Sequence, residues 1–226
     1  MRAAIMQPYF FPYAGYYRLL AAADVFVIYD CVQFPRRGWV HRNQLPRANG
    51  EPGWLTLPVE KAAYDAAIRD VELKTDAADQ LRQRAAAFPD LDHALRHRST
   101  HPAASAFLNT RPALTDYLEL TLRVAARRLG FHPQILRSSA LDIPARLKAQ
   151  DRILAILEAL GANAYVNAPG GRSLYDPQAF SARGIRLEFL PDYTGPRTSM
   201  LHRLLMEESE SLRAEILGDC KLAEAA

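Results

Sequence analysis

Hydrophobic positions along the chain follow two alternating rhythms. Short apolar runs stand at Ala3–Met6 and Val25–Tyr29, and Ala164–Asn167 and Ile185–Leu190 read as two further strands. Runs of about four to eight apolar or β-branched residues read as strands buried on both faces. Between them the apolar residues recur at helical spacing. Tyr16, Tyr17, Leu19 and Leu20 share a face within Ala14–Ala23, and Leu114, Leu118, Leu122 and Ala125 do so within Pro112–Leu129, which Gly130 ends. Leu147, Ile153, Leu154, Leu157 and Leu160 make a third such face within Ala145–Leu160, with Gly161 beyond its end.

Weaker signals fill the gaps. Trp54–Val59, Ile68–Leu73 and Pro133–Arg137 read as short strands. Helices are expected from Thr75-Asp76 to Phe88, over Tyr175–Ala182, and over Ser199–Leu217, the last with a break. Strands alternating with helices predict an α/β fold with a mainly parallel, Rossmann-like sheet. The first strand, helix and second strand make a right-handed βαβ unit. A mostly helical insertion, about residues 75–132, interrupts what reads as a single α/β domain over 1–226.

In this architecture ligands gather at the carboxyl ends of the strands, so the stretches that follow the strands are the candidates for chemistry. The first strand runs into Gln7-Pro8-Tyr9-Phe10-Phe11-Pro12-Tyr13-Ala14-Gly15-Tyr16. Gly15 at a helix start would let a phosphate or carboxylate approach free N–H groups, or it serves only close packing. Tyr9, Tyr13 and Tyr16 offer ring faces and hydroxyls to a base or sugar, or they pack the core. Asp30 closes the second strand. A carboxylate there suits a general base, an acceptor for sugar hydroxyls, a magnesium ligand, or a helix cap.

The long polar excursion from Asp30 to Gly53 carries Gln33, Arg36, Arg37, Trp39, His41, Arg42 and Asn43. Arginine forks suit bidentate anion recognition, and His41 is an acid/base candidate by its ordinary pKa. Asn167 with Gly170 and Gly171 follows a later strand, where a backbone nest would cradle phosphate. Cys31 near His41 raises a nucleophile reading, and His93, His97 and His101 a metal reading, each against a structural alternative.

Composition narrows the function classes. The chain has 226 residues, 49% of them hydrophobic, which is enough to bury a full core. A net charge of +3 with scattered arginines does not form a nucleic-acid face, so a small anionic molecule is the expected partner. Two distant cysteines without metal spacing, Cys31 and Cys220, argue for a reducing compartment and against structural zinc. No run approaches the roughly 18 apolar residues of a membrane span, and Pro8 and Pro12 interrupt any secretory apolar core. A cytoplasmic location is expected.

Several stretches together resemble the WbqC-like protein family: Ile5 to Tyr16, Phe26 to Gln33, Gly38 to Asn43, Leu160 to Asn167, Gly184 to Leu190, and Ser199-Met200-Leu201-His202. Two positions depart from that family's pattern. Cys31 stands where a second acidic residue commonly follows Asp30, and His202 where an Asp is common. The resemblance implies a place in bacterial surface-polysaccharide, O-antigen or amino-sugar biosynthesis. Phe10 to Tyr16 is also faintly similar to the HxGH turn of nucleotidylyltransferases, with tyrosines replacing both histidines.

These readings combine into one expectation: a transferase that passes an acyl or aminoacyl group to a sugar amine or hydroxyl. Its donor would be nucleotide- or acyl-carrier-linked, with ATP and magnesium as the cofactors to consider. Asp30 and His41 are the expected catalytic residues. Gln7, Tyr9, Tyr13, Gly15, Tyr16, Gln33 and Arg36 are the expected substrate contacts, with Trp39, Arg42, Asn43, Asn167, Gly170 and Gly171. The alternative is a non-catalytic sugar- or nucleotide-binding accessory protein.

Overall fold

The structure, a computed structural model, describes residues 1–97, 100–218, 220, 223 and 224. The first apolar run becomes β1 (Arg2–Met6), followed by helix α1 (Ala14–Ala22) and β2 (Val25–Ile28). The chain then forms a hairpin, β3 (Arg42–Pro46) and β4 (Pro52–Thr56), and four helices: α2 (Ala77–Ala85), α3 (Pro89–His97), α4 (Pro102–Leu108) and α5 (Leu114–Arg128). It returns through β5 (Gln134–Arg137), α6 (Ala149–Leu160), β6 (Ala164–Asn167), α7 (Pro177–Ser181) and β7 (Arg186–Phe189). Helices α8 (Met200–Met206) and α9 (Ser209–Gly218) and a short β8 (Ala223–Glu224) follow.

The main sheet has the order β5-β2-β1-β6-β7-β8, with β8 antiparallel on the edge and the other five strands parallel. Counted along the chain, the five parallel strands stand third, second, first, fourth, fifth. This is the Rossmann-like order, and it reverses its direction of growth between β1 and β6. Strand alternation explains the two-sided core. Ala3 and Ile5 of β1, Val25 and Val27 of β2, and Leu187 and Phe189 of β7 join Ile153, Leu157 and Phe180 of the α6 and α7 layer. Ala4, Phe26, Ile28 and Val166 join Tyr17, Leu20, Leu118, Leu122 and Leu204 on the opposite face. Helices on both faces are what strands without a polar side require.

Three expectations change. Residues Arg42–Pro46, read as part of a loop, pair with β4 in a separate antiparallel sheet, so Trp54–Thr56 never joins the main one. Ile68–Leu73 is not a strand: Ile68–Asp70 is a 3₁₀ turn whose N–H groups bond to the chain after β2, Ile68 to the Val32 carbonyl and Arg69 to that of Asp30. Helix α6 begins at Ala149 rather than Ala145, and Ala149 itself has a left-handed φ of 46°. The expected helix over Ser199–Leu217 is broken, as anticipated, between α8 and α9.

Candidate functional site

Where the sheet reverses its order, a crevice of about 480 Å³ opens at the carboxyl ends of the strands. Met6 and Gln7 leave β1, Tyr29 leaves β2 and Asn167 ends β6, and all four line it. The opposite wall is the start of α6, through Ala149, Gln150 and Ile153. Lys148 precedes α6 without a capping side-chain bond, so first-turn N–H groups reach this wall uncapped, as an anion would use them. The 3₁₀ turn Pro169–Leu174 supplies Gly170, Gly171 and Leu174.

The polar lining is neutral and ordered. Asn167 donates through Nδ2 to the Tyr175 hydroxyl at 3.2 Å and accepts the Ala168 N–H at 2.7 Å. The Tyr175 and Tyr165 hydroxyls lie 3.2 Å apart. Burial pushes the Tyr29 phenol up to about 12, and the neighbouring Cys31 adds to this while Arg152 opposes it. Burial also raises Tyr175. Both phenols therefore stay protonated and serve as donors. A Cβ on Gly171 would sit 2.7 Å from Asn167 Nδ2, so only glycine lets the turn close over that amide. At Gly170 a Cβ would meet nothing within 4 Å, because that residue opens into the cavity.

The motif after β1 connects this crevice to a second, smaller cleft of about 230 Å³, lined by Tyr9, Pro12, Tyr13, Trp39, Asn43 and Arg197. Tyr16 is buried and donates to the Gln7 carbonyl at 2.7 Å, so it positions the motif rather than facing either cavity. Gly15 is a packing glycine: an added Cβ would lie 2.3 Å from Tyr13 Cε2 and 2.9 Å from Tyr193 Cγ. Buried Asn43 donates to the carbonyls of Phe10 and Phe11, at 3.0 and 2.7 Å. Ser199 Oγ donates to the same Phe11 carbonyl at 2.8 Å. Phe11 is held at a φ of 40°, a conformation that persists only where the surroundings enforce it.

Asp30 and His41 lie outside both cavities. Asp30 is fully buried, and its carboxylate accepts from Ser138 Oγ at 2.8 Å, Ser139 N–H at 3.0 Å and Ser139 Oγ at 2.5 Å. From the neighbouring strand it caps the turn after β5, and both of its oxygens are engaged by protein donors. His41 is buried against Phe34, ring centroids 5.0 Å apart, and its Nδ1 has no partner among the described residues. Burial, helped by the Arg42 charge, pushes it down to about 4, so it is neutral at pH 7.

The basic loop is spent on bracing. Gln33 donates to the Tyr64 carbonyl and Arg36 to that of Ala62. Arg42 donates to the Arg37 carbonyl and lies 4.2 Å over the Trp54 ring. Arg36 and Arg42 thus contact different partners, the first Ala62 and the second the Arg37 carbonyl with the Trp54 ring. Cys31 Sγ lies 3.0 Å from Ser138 Oγ and accepts from Arg152 Nε at 3.1 Å, behind the crevice wall. The His93 and His97 rings lie 4.6 Å apart at a tilt of 42° while His101 caps α4 through Nδ1, and no group of three metal-ligating side chains occurs among the described residues. Tyr29, Gln150, Tyr175 and Arg197 were not singled out from sequence. For Tyr29 the signal was present, as the last residue of a strand whose carboxyl end faces ligand.

The profile of the WbqC-like protein family matches residues 7–197. The chain is also 28% identical over 209 residues to the uncharacterized protein Rv1507c of Mycobacterium tuberculosis strain H37Rv, covering 87% of this chain and 84% of the relative. No solved structure matches. Among the described residues no helix is long and apolar enough to cross a membrane.

Proposed function

Since the chain belongs to the WbqC-like protein family, we propose that it is an enzyme of surface-polysaccharide or amino-sugar biosynthesis that binds a nucleotide- or carrier-linked donor in the β1/β6 crevice. The observation that carries this reading is the crevice itself, at the point where a Rossmann-like sheet holds its ligands. The α6 start would receive the anionic group. Gln7, Asn167 and the Tyr29 and Tyr175 phenols would bind ribose or sugar hydroxyls, and Ile5, Ile153 and Leu174 would supply the apolar floor. The reaction class remains acyl or aminoacyl transfer, with the phenols donating to oxygens that gain charge. Asp30 shapes the wall in this reading instead of taking a proton. Among the described residues the lining offers no carboxylate to magnesium, so a metal would be held by the phosphates of the donor.

One observation favours a second reading, a non-catalytic binding accessory: among the described residues the crevice lining contains no carboxylate, imidazole or thiol. A thermal-shift panel of ATP, sugar nucleotides and CoA esters, with and without magnesium, tests the common premise. A ligand at 100 times its Kd adds about 2.7 kcal/mol of stability. Gly170→Phe, which fills the open crevice, should abolish that gain while the unliganded protein melts normally. A gain that survives Gly170→Phe would place the ligand elsewhere. Turnover by the purified chain alone then separates enzyme from accessory.

A further inference from the structure

We infer that the second cleft, beyond the far end of the motif, is a saccharide site that takes a pyranose bearing a carboxylate or phosphate. This site stands apart from the crevice, and its assignment does not depend on what the crevice binds. Its volume of about 230 Å³ is below the roughly 300 Å³ at which drug-sized pockets begin, the scale of one sugar ring.

The walls are aromatic and wet. Trp39 lines the cleft and is 42% exposed; Trp54, beside the cleft, stands 5.1 Å from Trp39, is 41% exposed and carries Arg42 over its ring. Two adjacent indoles left open to water form an apolar patch of the kind that marks a binding surface. The flat C–H face of a pyranose covers such a ring while its hydroxyls stay at the edge. Tyr9 and Tyr13 bring phenols into the cleft, and neither hydroxyl has a hydrogen-bond partner among the described residues. They are free to serve sugar hydroxyls.

The charge comes from Arg197. Its guanidinium lies 5.9 Å from the Tyr13 ring centre, is exposed, and pairs with no carboxylate among the described residues. Among the described residues no acidic side chain lines the cleft. A planar fork above an aromatic floor recognises a carboxylate or phosphate beside a ring, which a neutral sugar does not offer.

The site is also held in shape. Asn43 and Ser199 fix the left-handed Phe11 at the back of the motif. Gly15 allows the Tyr13 and Tyr193 rings to approach to 5.5 Å, which sets the ring over which Arg197 lies. Strain and close packing gathered behind an open aromatic cleft are features of pre-organised binding sites.

The chain has two tryptophans: Trp39 lines this cleft and Trp54 stands 5.1 Å from Trp39, and neither is among the residues that line the crevice. Intrinsic tryptophan fluorescence therefore reads this cleft. Titrations with glucuronate, glucose 1-phosphate and glucose should give a saturable change with at least one anionic sugar, and glucose should bind about tenfold more weakly. Trp54→Phe should retain the signal through Trp39. Arg197→Ala, a substitution of an exposed residue, should reduce the anionic sugar to the affinity of glucose. A response to glucuronate only identifies a uronate, and a response to glucose 1-phosphate only identifies a sugar phosphate. No saturable change with either anion, equal affinity for glucose, or an Arg197→Ala titration like that of the unaltered protein would overturn the inference. The titration should be unchanged in Gly170→Phe, so a failure of the crevice reading leaves it intact.

Discussion

Asp30 divides a structural role from a catalytic one most sharply. Alanine at this position removes three acceptor contacts from a fully buried site, at 2.8, 3.0 and 2.5 Å. A hydrogen bond to a charged group contributes about 1.5–3 kcal/mol, and a buried donor left unpaired costs about 1–3 kcal/mol. The three do not add in full. Ser139 is half-buried and recovers part of its loss from water, while the fully buried Ser138 hydroxyl has only the Cys31 sulfur, 3.0 Å away, as a substitute. We expect Asp30→Ala to lose about 3 kcal/mol. Asparagine keeps one oxygen for Ser138 and Ser139, and its amide can donate to Ser139 Oγ, so Asp30→Asn should lose about 1 kcal/mol. Urea unfolding with linear extrapolation measures both. Asp30→Ala within 1 kcal/mol of the unaltered protein would refute the bracing network. An Asp30→Asn protein that folds normally and still binds ligand, but has no turnover, would return the carboxylate to the chemistry.

Other perturbations probe the same framework. Asn43→Ala removes two donors to the Phe10 and Phe11 carbonyls and releases a strained turn, so it should lose about 2–4 kcal/mol in the same urea assay and weaken the sugar titration. Gly15→Ala forces a Cβ against Tyr13 and Tyr193 and should cost about 1–3 kcal/mol, whereas a free phosphate-binding glycine would show lost affinity with little lost stability. His41 has its folded pKa depressed from 6.5 to about 4, so between those values the unfolded chain binds a proton that the folded one refuses. Its contribution is fully present above about pH 6.5 and is lost as the pH falls towards 4; His41→Phe should flatten the urea midpoint over that window.

The sequence by itself determined the alternating framework. The runs at Ala3–Met6 and Val25–Tyr29, the strand at Ala164–Asn167 and the helical face around Leu118 lie where they were read, and the face around Leu157 does so from Ala149 onward, since burial writes a local pattern. It also pointed to the motif after β1, whose start lines one cavity and whose Tyr9 and Tyr13 line another. Segments whose pairing is decided from outside were less legible. Residues 42–46 become a strand only by folding back on β4, and Ile68–Leu73 loses its strand to contacts with the chain after β2.

Only the tertiary structure decided what each polar residue is occupied with. Asp30 has the position of a ligand-facing carboxylate, yet it is claimed by serines 108 and 109 residues away. Arg36 and Arg42 share a loop but brace different partners, while Arg197, from the far end of the chain, stands over Tyr13 with its charge unpaired among the described residues. Periodicity records whether a side chain faces the core, a property of its own element. Whether a buried or half-buried polar group is free to meet a ligand depends on donors and acceptors brought to it across the fold, and no local pattern carries that.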